Sequence, residues 1–450
     1  MHCIHRIESR VSLQYISNGD LCLNNTRIFN GDATRPISAP TTIHISKGRI
    51  ASIGLNIETL KNCMQIDTKG AIALPGFIDL HTHLTLPGSP PSMPAFGSLK
   101  VNATNFLYAG VTTVLDLYAN ISELINDTNA LIASQNPAPR IFHAGKAFTA
   151  NNGHPAFIIN AYFPWPFNNT AKEKTLYQLP VKENLKSLVL ENKKYGATVT
   201  KVFIDALPQE APVISKADLK ELAYASKQVG LPVFAHIGSE RNINDALDAG
   251  IKVFVHAPYK ERISDKIVAR LKREKAVIMP TMVVWQSVAY ASRAETHFNK
   301  LDRTLIDPEV YFAYQESKGQ RAILQHWYEL VDANQKNLFE NVKRMKEAGI
   351  EILAASDSPN LGLISGGGII KEIELLVKKC DYSVFEAIEA ATLKPGRLLQ
   401  HTLGIPGLGK IETGAQADIL VVPDFTKDLS KLYDIEYLIV NGRQVQRRNK

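Results

Sequence analysis

The chain has 450 residues, of which 45% are hydrophobic and 21% charged, a balance that suits a globular protein with a large core and excludes a disordered or fibrous one. Its net charge of +7 comes from 51 basic and 44 acidic residues spread along the chain, with a local basic cluster only in the tail 446–450, so the charge pattern does not indicate a nucleic-acid partner. No run of about 18 apolar residues is present, which excludes a membrane-spanning helix.

The opening stretch "MHCIHRIESRVSLQYISNGD" mixes charged and polar residues where a secretory leader needs an unbroken apolar run, and a cytoplasmic location is the expectation. Four cysteines, Cys3, Cys22, Cys63 and Cys380, show no Cys-x-x-Cys spacing, so a disulfide framework is not expected. Residues 11–75 contain short β-like runs, among them "TTIHISKGRIASIG" with Lys47-Gly48 at a predicted hairpin turn.

A different pattern starts at "PGFIDLHTHL", an apolar run ending in two histidines one residue apart. In a strand Phe77, Asp79, His81 and His83 share a face. Each unmet polar group on a buried face costs roughly 1–3 kcal/mol, and a metal ion would satisfy both imidazoles together. From there helix-like stretches alternate with short apolar runs. Gly110, Gly196, Gly230, Gly250 and Gly349 stand where each helix ends and the next strand begins, a position that favours the left-handed conformation open to glycine. "RIFHAG" and "AVIMPTM" add two strands without that glycine, making eight in all. "SKADLKELAYASKQ" carries Ser215 as an N-cap with Asp218 three residues on. Eight such units predict an α/β fold, a (β/α)8 TIM barrel over residues 76–399, with a helix-rich excursion at 286–348 near its mouth. "ADILVVPD" and "IEYLIVNGRQVQ", the latter with an Asn441-Gly442 turn, predict strands that return to the N-terminal ones. Residues 1–75 and 400–450 are expected to form one small β-sandwich domain, since neither end alone buries a sheet face.

Chemistry in such a barrel sits at the C-terminal ends of the strands. The first ends in His81 and His83, the fourth carries Lys201, the fifth and sixth end in His236 and His256, and the eighth ends in Asp357. Singly, a histidine there is as well explained by a hydrogen bond and an aspartate by an N-cap; together, unpaired, they would be a costly cluster. An ammonium at Lys201 would be repelled by metal cations, leaving either a surface lysine or a carbamate, formed when a neutral amine adds carbon dioxide, that bridges two ions.

The order His-x-His, Lys, His, His, Asp on successive strands resembles the amidohydrolase superfamily in its two-metal, carboxylated-lysine form. "RIFNGDATRPISAPTTIHISKGRIASIG", "LLVKKCDYSVFEAIEAATLKPGRLL" and "LGKIETGAQADILVVPD" are similar to that family's sandwich strands and closing helix. "YGATVTKVF" resembles the "GA-x-x-x-K" pattern of its imidazolonepropionase-related and Xaa-Pro dipeptidase (prolidase)-like branch. The resemblance implies a metal-dependent hydrolase of small-molecule amides, dipeptides or N-acyl amino acids. His81, His83 and Asp357 would hold one ion, His236 and His256 the other, and carboxylated Lys201 would bridge them. Zinc is the default for these ligands, and Asp357 would also be the catalytic acid and base. Asp79 would orient a ligating histidine. "AGKAFTANNGHP" resembles the family's "T-x-x-G-G-H" loop, with Asn152 in place of the first glycine, and implies that His154 binds substrate. Tyr259, in "HAPY", either binds a substrate carboxylate, as in the dipeptidase-like relatives, or packs the rim. "SDSPNLGLISGGG" departs from the family's usual His-Gly after strand eight. A cyclic-amide or imidazolone hydrolase or ring deaminase on the same barrel, which typically needs no bridging lysine, is the alternative; a non-catalytic scaffold is a third reading. No membrane or nucleic-acid partner is expected, and a homo-oligomer is compatible with the sequence.

Overall fold

A computed structural model describes residues 5–54, 63–93, 95–163, 167–180, 184–208, 210–293, 296–317 and 322–450. Cys3 lies outside them. Every one of the eight predicted strands forms, at Phe77–Thr82, Val111–Asp116, Arg140–His143, Thr200–Phe203, Val233–His236, Val253–Val255, Val277–Met279 and Glu351–Ile352. The five glycines before them all take positive φ, between +76° and +92°. Ser215 accepts from the Asp218 backbone N–H, capping the helix Lys216–Val229 as its sequence predicts.

These strands lie parallel in two sheets. Phe77–Thr82, Val111–Asp116 and Arg140–His143 form one; the other five form part of a seven-stranded sheet. The two additional strands, Ala147–Ala150 and Leu176–Leu179, were not expected. The chain leaves strand Arg140–His143, turns at Gly145 (φ +71°) and extends again, so that Phe148 pairs with Val202, while Leu176–Leu179 adds outside it. The two sheets meet edge to edge at the site. Thr82 and Ser358 form a parallel bridge, the Asp357 N–H donates to the His81 carbonyl at 2.7 Å, and the His83 N–H donates to the Ser358 carbonyl at 3.0 Å. Elsewhere the Thr198 N–H, just ahead of strand Thr200–Phe203, donates to the His143 carbonyl at 2.8 Å.

The two chain ends pair as expected. Strand Ile72–Pro75 is flanked by Ile419–Val422 on one side and Leu21–Ile28 on the other, within a sheet that also holds Thr41–Ser46, Arg49–Gly54, Tyr437–Val440 and Arg443–Asn449. Both predicted hairpins are present, at Lys47-Gly48 and Asn441-Gly442, each pair at positive φ. Leu21, Leu23, Ile43, Ile45, Ile419 and Ile439 share a core separate from the main one. Arg140 pairs with buried Asp418 and ties this sheet to the third parallel strand.

One expectation is overturned here. Cys22 and Cys63 are joined by a disulfide. Met64–Asp67 pairs in parallel with Leu21–Asn24, with Leu21 opposite Met64, which brings two cysteines 41 residues apart to a Cα separation of 6.0 Å. Spacing along the chain carries no trace of that pairing. No helix among the described residues is long and apolar enough to cross a membrane.

Candidate active site

The strand ends bring the histidines, the lysine and the aspartate together. His81 Nε2 and His83 Nε2 lie 3.2 and 2.8 Å from Asp357 Oδ1, and His256 Nε2 lies 4.0 Å from Asp357 Oδ2. Ring centroids are 4.9 Å apart for His81 and His256, 4.3 Å for His256 and His236, and 4.6 Å for His236 and His154. The ligand atoms of His81, His256 and Asp357 all fall within 4.8 Å of one another. That trio cuts across the expected division of the ligands between two ions, because the sixth and eighth strand ends approach each other over the first.

The backbone is bent to aim these groups. His256, Thr281 and Asp357 take φ of +74°, +48° and +58° at the ends of strands six, seven and eight. The left-handed region is unfavourable for residues with a Cβ, most of all for β-branched threonine, and such departures concentrate at functional sites. Thr281 has a further use. Its hydroxyl donates to the Pro280 carbonyl at 2.8 Å and lies 2.6 Å from His256 Nδ1. With the hydroxyl proton so placed, His256 Nδ1–H donates to Thr281 and Nε2 keeps the lone pair that a metal needs.

Burial and mutual proximity keep His81, His154, His236 and His256 neutral. Loss of solvent holds His81, His236 and His256 well below the usual histidine range, and the Lys201 charge adds to this in each; His154 is pushed down to about 3 by the same two causes. Lys201 itself is 0% exposed. Burial lowers its amine from 10.5 to about 7, against an opposing pull from Asp357, and its Nζ has no hydrogen-bond partner among the described residues. His81 Nδ1, His83 Nδ1 and His236 Nε2 are likewise buried without hydrogen-bond partners among the described residues. Orphaned buried nitrogens of this kind are costly unless another group completes them, and the donor set of neutral imidazoles and one carboxylate fits a divalent cation.

The remaining expected residues divide. His154 reaches the cavity wall, and the loop carrying it closes through Thr149 Oγ1, which donates to the His154 carbonyl at 2.6 Å. Asn152 takes φ +57°, a left-handed conformation open to glycine that asparagine tolerates better than most other residues. Tyr259 is 1% exposed and does not reach the wall. It packs behind Trp285, with ring centroids 4.4 Å apart. Asp79 does not orient an imidazole; it accepts from the His81 and Ser356 backbone N–H groups and from the Ser356 hydroxyl, and burial pushes its carboxyl up to about 7.

Several residues at the site had no motif to announce them. Asp205 lies 4.0 Å from His236 Nε2 and 2.7 Å from Lys260 Nζ. Asp116 accepts the Leu84 N–H at 2.6 Å and holds the turn after His83. Glu372 accepts the Met282 and Val283 N–H groups at 2.9 and 2.8 Å, anchoring the helix Met282–Ser292 that presents Trp285 to the cavity. Asp205 follows strand four directly, so the strand-end rule was the one available signal. The others act through contacts between distant segments.

Residues 72–445 match the family model described as "Amidohydrolase family". The chain belongs to the amidohydrolase family. Among solved structures, this amidohydrolase is similar to a Xaa-Pro dipeptidase with bound methionine (TM-score 0.74, 19% identity, 94% of this chain and 99% of that one) and to A. niger ochratoxinase (TM-score 0.70, 17% identity, 97% and 96%). At these identities the likeness is one of fold. A dihydroorotase of Methanosarcina acetivorans is 38% identical over 69 residues, 15% of this chain and 14% of the relative, so the match spans only about a seventh of that protein.

Proposed function

We propose that the chain hydrolyses the amide bond of a small molecule at a two-metal centre in a (β/α)8 barrel spanning residues 76–399, with the paired ends 1–75 and 400–450 as a second domain. His81, His83 and Asp357 would hold one ion, His236 and His256 the other, and a carboxylated Lys201 would lie between them. The observation that supports this best is Lys201: a fully buried amine, lowered to about 7, with no hydrogen-bond partner for Nζ among the described residues and neutral imidazoles around it. A neutral amine is the form that adds carbon dioxide, and the resulting anion suits the surroundings that an ammonium does not.

Zinc suits the donor set, and such ions, when bound, lower the pKa of a water molecule and polarise a carbonyl. The chain supplies the rest. The Asp357 carboxylate, within 3.2 Å of two imidazoles, would take the proton of the attacking water and pass it to the departing amine. His154, held neutral, offers a hydrogen bond to a substrate carbonyl or carboxylate. A dipeptide or N-acyl amino acid is the substrate class that His154 and the likeness to a Xaa-Pro dipeptidase support. The sequence expectation of a cytoplasmic setting sits poorly with the Cys22–Cys63 bond, which favours an oxidising compartment.

A second reading is a one-metal ring hydrolase or deaminase built on the compact trio His81, His256 and Asp357. Metal content separates the two. Protein supplied with zinc and bicarbonate should carry two ions per chain and turn over dipeptides or N-acyl amino acids; one ion, with turnover of cyclic amides alone, would favour the second reading.

A further inference from the structure

The cavity above the cluster has a volume of about 130 Å³ and opens to solvent. Its floor is polar: His81, His83, His154, His236, His256 and Asp357. Its walls are not. Ile158 and Phe163 come from the segment after His154, Trp285 and Val288 from the helix Met282–Ser292, Trp327 from Ala322–Ala333, and Leu361 from the stretch after Asp357. Outside the histidine and Asp357 cluster, no lysine, arginine, aspartate or glutamate lines the cavity among the described residues. Lys260, whose charge reaches His154, is already matched by Asp205 Oδ1 at 2.7 Å and the Ala206 carbonyl at 2.6 Å.

From this lining we infer that the substrate carries, on at least one side of its scissile amide, a bulky, apolar and uncharged group, an arylalkyl or branched alkyl arm. The inference rests on the amide-hydrolase reading and narrows its substrate class. A charged arm pointing away from the cluster would leave water for a wall that offers no counter-charge. An apolar arm loses nothing there and gains contact with two indole rings. Four separate chain segments supply these apolar residues, so the character of the wall does not follow from any one of them. The inference also bears on carboxylate recognition: with Tyr259 behind Trp285, His154 is the one expected carboxylate-binding side chain that reaches the cavity.

The test is a matrix of N-acyl amino acids given to the full chain loaded with zinc and bicarbonate. Acetyl, succinyl and phenylacetyl acyl arms are combined with glycine, glutamate and phenylalanine as the amine arm. Along at least one arm, the aromatic member should exceed the small and the charged members by roughly 10-fold or more in kcat/KM. Ile158, half-buried on the helix Ala156–Tyr162, allows a cation to be added to the wall. Ile158→Lys should shift the preference on that arm toward the charged member by a similar factor. Small or charged members that match the aromatic one on both arms would overturn the inference while leaving the amide-hydrolase reading standing. If no member turns over although two ions are bound, the amide-hydrolase reading fails instead. The same compounds then act as ligands, read through tryptophan fluorescence, since two of the chain's three tryptophans line the cavity. Tighter binding of the aromatic members along at least one arm would still support an apolar-arm site, and equal or weaker binding of them along both arms would refute it.

Discussion

Replacing Lys201 by methionine should make the metal-free protein more stable near neutral pH and remove part of its pH dependence. In the folded chain the amine is 0% exposed and lowered from 10.5 to about 7, with burial the main cause. The unfolded chain regains the ordinary lysine value. Between about pH 7 and pH 10.5 the unfolded state therefore binds one more proton than the folded state, and stability rises with pH across that window by up to about 1.4 kcal/mol per pH unit. Below about pH 7 the full cost of the buried amine is present, on the order of 5 kcal/mol, and methionine of similar length avoids it. Glu372, pushed up to about 8 by burial, works in the opposite direction below pH 8, but it is present in both proteins and cancels from the difference. The assay is guanidinium unfolding of chelator-treated wild type and Lys201→Met at pH values from 7 to 10. The variant should start several kcal/mol above wild type and lose that lead as pH rises. Parallel stability curves, or a less stable variant throughout, would mean that Lys201 is not a desolvated amine in the folded chain and would remove the physical basis for its carboxylation.

The same variant should bind fewer than two zinc ions per chain by elemental analysis where wild type binds two; unchanged stoichiometry would reject the bridging role. Asp357→Asn should lower kcat by roughly 10²–10⁴-fold with the circular dichroism spectrum retained, because an amide cannot accept the water proton, and a near wild-type kcat in a metal-loaded variant would rule out that role. Thr281→Val keeps the shape but removes the hydroxyl 2.6 Å from His256 Nδ1, and should weaken metal binding by about 10- to 100-fold in a competition assay with a chelator. The Cys22→Ser, Cys63→Ser double variant should lose about 4 kcal/mol of stability from the 41-residue separation that the bond closes, a loss that dithiothreitol should reproduce in wild type; equal denaturation midpoints for the oxidised and reduced protein would contradict this.

Sequence by itself determined the features that repeat locally. Gly110, Gly196, Gly230, Gly250 and Gly349 marked their strands because only a residue without a Cβ turns out of a helix cheaply with positive φ. Lys47-Gly48 and Asn441-Gly442 marked their hairpins for a related reason, and the strand-end rule assembled His81, His83, Lys201, His236, His256 and Asp357 as candidates before any distance was known. Tertiary structure alone decided what depends on neighbours far apart in the chain. His256, Thr281 and Asp357 take positive φ without glycine, because packing between strands imposes a conformation that their own preferences oppose. Cys22 meets Cys63 through a parallel strand pairing that leaves no mark in cysteine spacing. Tyr259 and His154 looked alike in the sequence, two polar rings just beyond strand ends. The helix that follows strand seven, anchored by Glu372, puts Trp285 in front of Tyr259 and leaves His154 at the wall. Which side chain faces a cavity is set by what packs over it, and that depends on segments brought together only when the chain folds.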